Sequence, residues 1–215
     1  MTKIKICGLT RKEDIAYVNE LLPDYVGFIF AKSKRQVTLE KAKKFTDLLN
    51  SRIKTVGVFV NEDIRKVRST AEYLKLDILQ FHGSEDENYI KEFDDFSIWK
   101  SLSIEAKKKN LLPEAQNSYQ QKLNVIGKYD IDGILLDSST IDAAGGTGVS
   151  FDWNIIKKIK ANKPLILAGG LKIENIQKAI EIAKPYVVDV SSGVEEQGVK
   201  NFCKINEFIK RVREF

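Results

Sequence analysis

The 215-residue chain has one histidine, His82, and two cysteines, Cys7 and Cys203. A single histidine rules out a His-based metal site, and there is no Cys-x-x-Cys pair. Two thiols do not make a disulfide framework and fit a reducing cytoplasm. No apolar run approaches the length of a membrane span. Met1-Thr2-Lys3-Ile4-Lys5 begins a strand pattern, not a signal-peptide stretch. A clustered basic face is also missing. Lysine and arginine total 35 against 30 acidic residues, a net charge of +5, and only Lys107-Lys108-Lys109 forms a tight run. This argues against nucleic-acid binding. Gly8 stands alone after the first strand signal, without the Gly-x-Gly-x-x-Gly of an open dinucleotide-binding sheet. No linker or low-complexity segment divides the chain, so residues 1–215 read as one domain.

Hydrophobic residues make up 43% of the chain, enough for a packed core. Strand-like apolar runs recur at 4–7, 25–30, 54–60, 77–81, 98–102, 133–136, 165–168 and 186–190. Amphipathic segments fall between them, at 11–22, 39–49, 64–74, 155–159 and 173–182. Thr38 and Asn61 are expected as helix N-caps. Residues 103–129 hold only a modest helical pattern, around 115–126. Eight strands alternating with helices predict a parallel sheet, and eight is the closure number of a single-domain α/β barrel of the (β/α)8 (TIM) type.

Residues 164–195 organise the rest. Two buried-strand patterns end there in small residues, Ala168-Gly169-Gly170 and Ser191-Ser192-Gly193. Each is expected to open into a helix N-terminus, where free N–H groups favour an anion. Two such ends side by side predict a phosphate cup after strands seven and eight; two tight turns are the plainer alternative. Cys7, at the tip of strand one, is either a base or nucleophile or a small buried hydrophobe. Lys5 shares its parity and, if inward, needs a partner. Asp137, ending strand six, is either used or caps a turn, and Asp189 poses the same question. Gln80 and His82 share a face of strand four. Arg35 could pair a carboxylate bidentately or be a solvated loop charge. The small-residue run 143–148 could be a lid or a long surface loop. Cys203 is expected to be a buried structural thiol.

Taken in order, several segments resemble the phosphoribosylanthranilate isomerase family of tryptophan biosynthesis. They are Lys5-Ile6-Cys7-Gly8-Leu9-Thr10, Gly27-Phe28-Ile29-Phe30 with Ser33-Lys34-Arg35, Val56-Gly57-Val58-Phe59-Val60 and Leu79-Gln80-Phe81-His82-Gly83. Leu136-Asp137-Ser138, Gly145-Gly146-Thr147-Gly148 with Phe151-Asp152-Trp153, Leu167-Ala168-Gly169-Gly170-Leu171 and Val188-Asp189-Val190-Ser191-Ser192-Gly193-Val194-Glu195 continue the series. The resemblance implies a (β/α)8 barrel and an Amadori rearrangement of N-(5-phosphoribosyl)anthranilate. By that analogy Cys7 is the general base and Asp137 the general acid. Arg35 holds the anthranilate carboxylate, His82 lines the site and Asp189 contacts the sugar. Gly169, Gly170, Ser192 and Gly193 hold the phosphate. The implied enzyme is cytoplasmic, a monomer or homodimer, and takes a small phosphosugar, with no metal, organic cofactor, nucleic acid or membrane.

The chain departs from the family pattern at Lys34, where proline is usual. It departs again at Gln197-Gly198-Val199-Lys200-Asn201, where Pro-Gly-Val-Lys-Asp is usual. The related barrel isomerase of histidine biosynthesis is the second enzyme reading. It resembles a duplicated half-barrel with an acidic residue at strand one and two phosphate sites. Here strand one carries Cys7, and strand three ends Phe59-Val60-Asn61 without a glycine cluster. A non-catalytic module binding phosphosugars or RNA is the third. The Cys7–Asp137 pair argues against a mere sugar binder, and the dispersed charge against RNA.

Overall fold

Buried parallel strands read as continuous apolar runs because both faces are covered. All eight runs form strands: β1 (Lys3–Cys7), β2 (Tyr25–Ile29), β3 (Lys54–Phe59), β4 (Ile78–Phe81), β5 (Ser97–Glu105), β6 (Gly133–Ser139), β7 (Leu165–Leu167) and β8 (Val187–Val190). In this computed structural model, which describes residues 1–105, 113–139, 153, 154, 156 and 161–215, they close into one parallel barrel in sequence order. Helices α1 (Lys12–Leu21), α2 (Leu39–Thr46), α3 (Ile64–Leu74), α4 (Glu87–Lys91), α5 (Pro113–Ile126), α6 (Ile176–Ala183) and α7 (Phe202–Arg213) lie between the strands and after β8. The expected helix at 155–159, the lysine run at 107–109 and the lid at 143–148 fall wholly or largely outside the described residues.

The helices form where an apolar stripe can be buried. In α3 the buried residues are Val67, Thr70, Ala71 and Leu74, one face at helical spacing. Its cap is Asp63, whose carboxylate accepts from the Arg65 and Lys66 amides, and not Asn61 as the sequence suggested. Asn61 instead sits at φ 46 and accepts from the Ser84 amide. Thr38 caps α2 as expected, accepting from the Lys41 amide at 3.3 Å.

Inside the barrel, side chains two residues apart on one strand stack in levels. Tyr25, Val56, Ile78, Trp99, Leu135, Ile166, Ala168 and Val187 form a dry plug. Two residues on, polar groups replace them: Gln80 after Ile78, Asp189 after Val187, Asp137 after Leu135. The polar mouth therefore stands on an apolar floor, at the C-terminal ends of the strands, where barrel enzymes work. At the other end, three aspartates staple neighbouring strands. Asp24 accepts from the Ile4 amide (2.9 Å), Asp77 from Thr55 (2.7 Å) and Asp132 from Ile98 (2.9 Å).

Candidate active site

Cys7 ends β1 facing the mouth, directly beside Gly27 of β2. A Cβ at Gly27 would lie 2.7 Å from Cys7 Sγ and 3.1 Å from Lys5 Cε, so the missing side chain is the space these two groups occupy. Lys5 does point inward and is fully buried. Its Nζ donates to Asp189 Oδ2 at 2.8 Å and to Gln80 Oε1 at 2.9 Å. Burial works against its charge, but Asp189 and Cys7 outweigh burial and hold its pKa above the ordinary lysine value. Asp189 Oδ1 is buried with no hydrogen-bond partner.

A general base at Cys7 needs the thiolate, so a site built for it should favour that form. The arrangement does the opposite. Burial pushes the Cys7 thiol up, and Asp189 adds to that. Lys5 and Lys200 draw it down without cancelling burial. Cys203 lies exposed on α7, so the expectation of a buried structural thiol fails.

Across the mouth, Asp137 on β6 meets His82, which follows β4, with His82 Nε2 3.2 Å from Asp137 Oδ2. His82 Nδ1 lies 3.1 Å from Gln80 Nε2. A buried ion pair holds the backbone beside the ring. Glu85 accepts from the Gly83 and Asn61 amides, and Lys100 donates to the Gly83 carbonyl at 2.7 Å while pairing Glu85 at 3.1 Å. Sequence reading missed both residues. Lys100 on β5 pairs with Glu85 in the loop after β4, and a lysine in an apolar run carries no label for its mate.

Arg35 is no solvated charge. Its Nε and Nη2 each bind one oxygen of Glu195, both at 2.7 Å. Its chain crosses Gly8, where a Cβ would meet Arg35 Cδ at 2.6 Å and where φ is +78. Glu195 also binds buried Lys200 at 2.7 Å. Burial raises its carboxyl pKa, but Arg35 and Lys200 outweigh this and hold it below the ordinary value. Lys200 donates to the Ser191 carbonyl at 3.0 Å, and Ser191 Oγ donates to the Cys7 carbonyl at 3.0 Å. Arg11, clamped to Asp14, donates to the Lys200 carbonyl. One network thus ties Arg35, the β8 loop and the loop after Cys7. Glu195 and Lys200 were visible as motif letters only, not as this hub.

The two glycine–serine clusters do abut. A Cβ on Gly193 would fall 1.9 Å from the Leu171 carbonyl oxygen. Gly169 and Gly170 have φ of 80 and 64, the region glycine alone enters freely. Among the described residues, the Gly170, Ser192 and Gly193 amides have no hydrogen-bond acceptor. The helix starts differ from expectation. α6 begins only at Ile176, and the second cluster opens into a three-residue 3₁₀ turn, Ser192–Val194. A short hairpin, β9 (Glu195–Glu196) and β10 (Val199–Lys200), intervenes before α7. Its turn places Gln197 at φ 49, which a proline ring forbids, so the departure there reflects a different turn. Asn201 caps α7 by accepting from the Lys204 amide, as an aspartate would.

Among the described residues no cluster of three or more His, Cys, Asp or Glu could hold a metal, and no helix is long and apolar enough to cross a membrane. The molecule is a (β/α)8 barrel whose polar mouth is suited to proton transfer on a small anion. The family model for N-(5'-phosphoribosyl)anthranilate (PRA) isomerase matches residues 4–211. A curated N-(5'-phosphoribosyl)anthranilate isomerase of Caldanaerobacter subterraneus subsp. tengcongensis is 48% identical over 213 residues, covering 99% of this chain and 98% of the relative. The crystal structure of the Thermotoga maritima phosphoribosyl anthranilate isomerase superposes with a TM-score of 0.84 at 33% identity, covering 100% of both chains. A solved isomerase of this kind in complex with reduced 1-(o-carboxyphenylamino)-1-deoxyribulose 5-phosphate gives 0.81 at 32%, again over 100% of both. The chain belongs to the N-(5'-phosphoribosyl)anthranilate isomerase family.

Proposed function

We propose that this mouth converts N-(5'-phosphoribosyl)anthranilate to 1-(2-carboxyphenylamino)-1-deoxyribulose 5-phosphate by general acid–base catalysis, as the isomerase step of tryptophan biosynthesis. Cys7 is the base that takes the C2 proton, and Asp137 is the acid that protonates the ring oxygen as the furanose opens. The aryl nitrogen serves as internal electron sink, forming an iminium and then an enolamine. The observation that carries this reading is the pairing of one thiol and one carboxylate on the same mouth, at the ends of β1 and β6.

The remaining roles follow from what each group has free. Arg35 has committed Nε and one Nη2 hydrogen to Glu195, so its Nη1 edge is the one offered to the anthranilate carboxylate. Asp189 Oδ1, buried without a partner, is an acceptor suited to a sugar hydroxyl. His82 lines the site beside Asp137. The abutting turns at Gly169, Gly170, Ser192 and Gly193 offer amides to the phosphate. Because burial favours the thiol form of Cys7, the base is generated in the minor thiolate form or as substrate excludes water around Lys5. The protein acts as one domain in the cytoplasm, as a monomer or homodimer.

Anthranilate fluorescence gives the assay. Loss of substrate fluorescence on adding enzyme is expected. Cys7→Ala and Asp137→Asn should each lower kcat by about 10²-fold or more, the scale of a lost acid or base. Full activity in folded Cys7→Ala would remove the thiol from the mechanism.

A further inference from the structure

Lys5, Gln80 and His82 form a chain of hydrogen bonds, and its end brings His82 Nε2 to 3.2 Å from Asp137 Oδ2 on the far wall of the mouth. Its direction is fixed by chemistry at one end. The Lys5 ammonium can only donate. Gln80 must therefore turn its carbonyl oxygen toward Lys5 Nζ, at 2.9 Å. That leaves the Gln80 amide nitrogen facing His82 Nδ1, at 3.1 Å. An amide nitrogen is a donor, so Nδ1 must accept and carry no proton. The ring proton then sits on Nε2, which lies 3.2 Å from Asp137 Oδ2. Reversing Gln80 would place its NH₂ against a buried ammonium and its oxygen against the ring. Lys5 itself cannot turn away, because Asp189 Oδ2 holds it at 2.8 Å.

We propose that Gln80 is a positioning residue that fixes His82 as the Nε2–H tautomer, so that His82 donates to Asp137 Oδ2 and leaves Oδ1 as the oxygen that carries the acid proton. The inference rests on the reading of Asp137 as the general acid, and it adds which oxygen delivers. A carboxyl whose two oxygens were equivalent would hold its proton away from the substrate for part of the time. A donor fixed on Oδ2 removes that possibility, because a proton there would face the His82 N–H. Gln80 touches neither the carboxylate nor the outside of the mouth. It is 2% exposed, accepts from Lys5 Nζ, and reaches Asp137 only through the ring.

The chain has a single histidine, so its imidazole nitrogen signals are unambiguous in a tag-free, ¹⁵N-labelled protein. Long-range ¹H–¹⁵N correlation at neutral pH should show a pyridine-type shift at Nδ1 and a pyrrole-type shift at Nε2. The opposite assignment, or two averaged shifts, would overturn the proposal without any variant. Gln80→Glu puts an acceptor opposite Nδ1. In the folded variant Nδ1 should gain a proton, and kcat should fall by about tenfold or more, part of the 10²–10⁴ that a positioned acid supplies. KM should change much less. An unchanged tautomer in Gln80→Glu, or a parental kcat with the tautomer reversed, would each refute the link. Asp137→Asn separates the two ideas. If that variant is fully active, the acid reading falls, while the tautomer still stands or falls by the spectrum.

Discussion

Gly27→Ala is a one-carbon change that the barrel should register mainly as a loss of rate. The new Cβ would lie 2.7 Å from Cys7 Sγ and 3.3 Å from Cys7 Cα. Non-bonded carbon contacts settle at about 3.5–4.0 Å, so the sulfur must retreat by about 1 Å. Gly27 is not at positive φ, so alanine costs no backbone strain there and gains up to about 1 kcal/mol of chain entropy. Overpacking costs about 1–3 kcal/mol and exceeds that gain over most of its range. The net should be a loss of roughly 0–3 kcal/mol, and a Tm lower by up to roughly 12 °C for a chain of this length. The rate should suffer far more, since a misplacement of about 1 Å in a reacting group can cost 10²-fold. Fluorescence kinetics should show kcat down by about 10²-fold with KM little changed, and urea unfolding supplies the stability. Cys7→Ala removes the clashing sulfur. The double variant should therefore lose less stability than the sum of the two single losses and be little slower than Cys7→Ala alone. Parental kcat in folded Gly27→Ala, or strictly additive stability losses, would refute the account of the notch.

Arg35→Lys keeps the charge but not the planar fork, so KM should rise and Glu195→Gln should raise it too; equal kinetics in either would leave Arg35 as a structural partner of Glu195 only. Gly193→Ala drives a methyl into the Leu171 carbonyl, so the two turns must part, and KM should rise more than kcat falls if these amides hold the phosphate. Burial holds the Cys7 pKa above its ordinary value, so alkylation should speed up about tenfold per pH unit and keep rising past pH about 8.5. That measurement belongs in a Cys203→Ser background, because Cys203 is exposed. A plateau near neutral pH would contradict the burial argument.

The strands were legible because burial on both faces writes each one as an unbroken apolar run. Their upper ends were not. β5 continues to Glu105 and β6 to Ser139, past the point where inward residues turn polar and the apolar signal stops. α4 is a five-residue helix, too short for periodicity to register, and the Glu195–Lys200 hairpin has strands of two residues. At the site, Cys7 and Asp137 could be read from position at strand tips. The Lys5–Asp189 pair joins residues 184 apart, and Arg35–Glu195 joins residues 160 apart. Local pattern carries no information on which distant side chains meet. The need for a partner at Lys5 was readable; the identity of that partner was a product of closure.

The three aspartate staples cover three of the eight seams of the barrel, and β7–β8 is one of those left without. They join β1 to β2, β3 to β4 and β5 to β6, and among the described residues no carboxylate does the same for β7 and β8. Those two strands pair only at Ile166–Val187 and Leu167–Val188. In native-state hydrogen exchange their amides should be the first of the barrel to open, since local stability follows local bonding. The same two strands lead into the turns at Gly170 and Ser192. An anion bridging those turns would act as the fourth staple, supplied by the ligand instead of the chain. Saturating phosphosugar at about 100 times Kd should then add about 2.7 kcal/mol of stability, with the gain in protection concentrated on that seam.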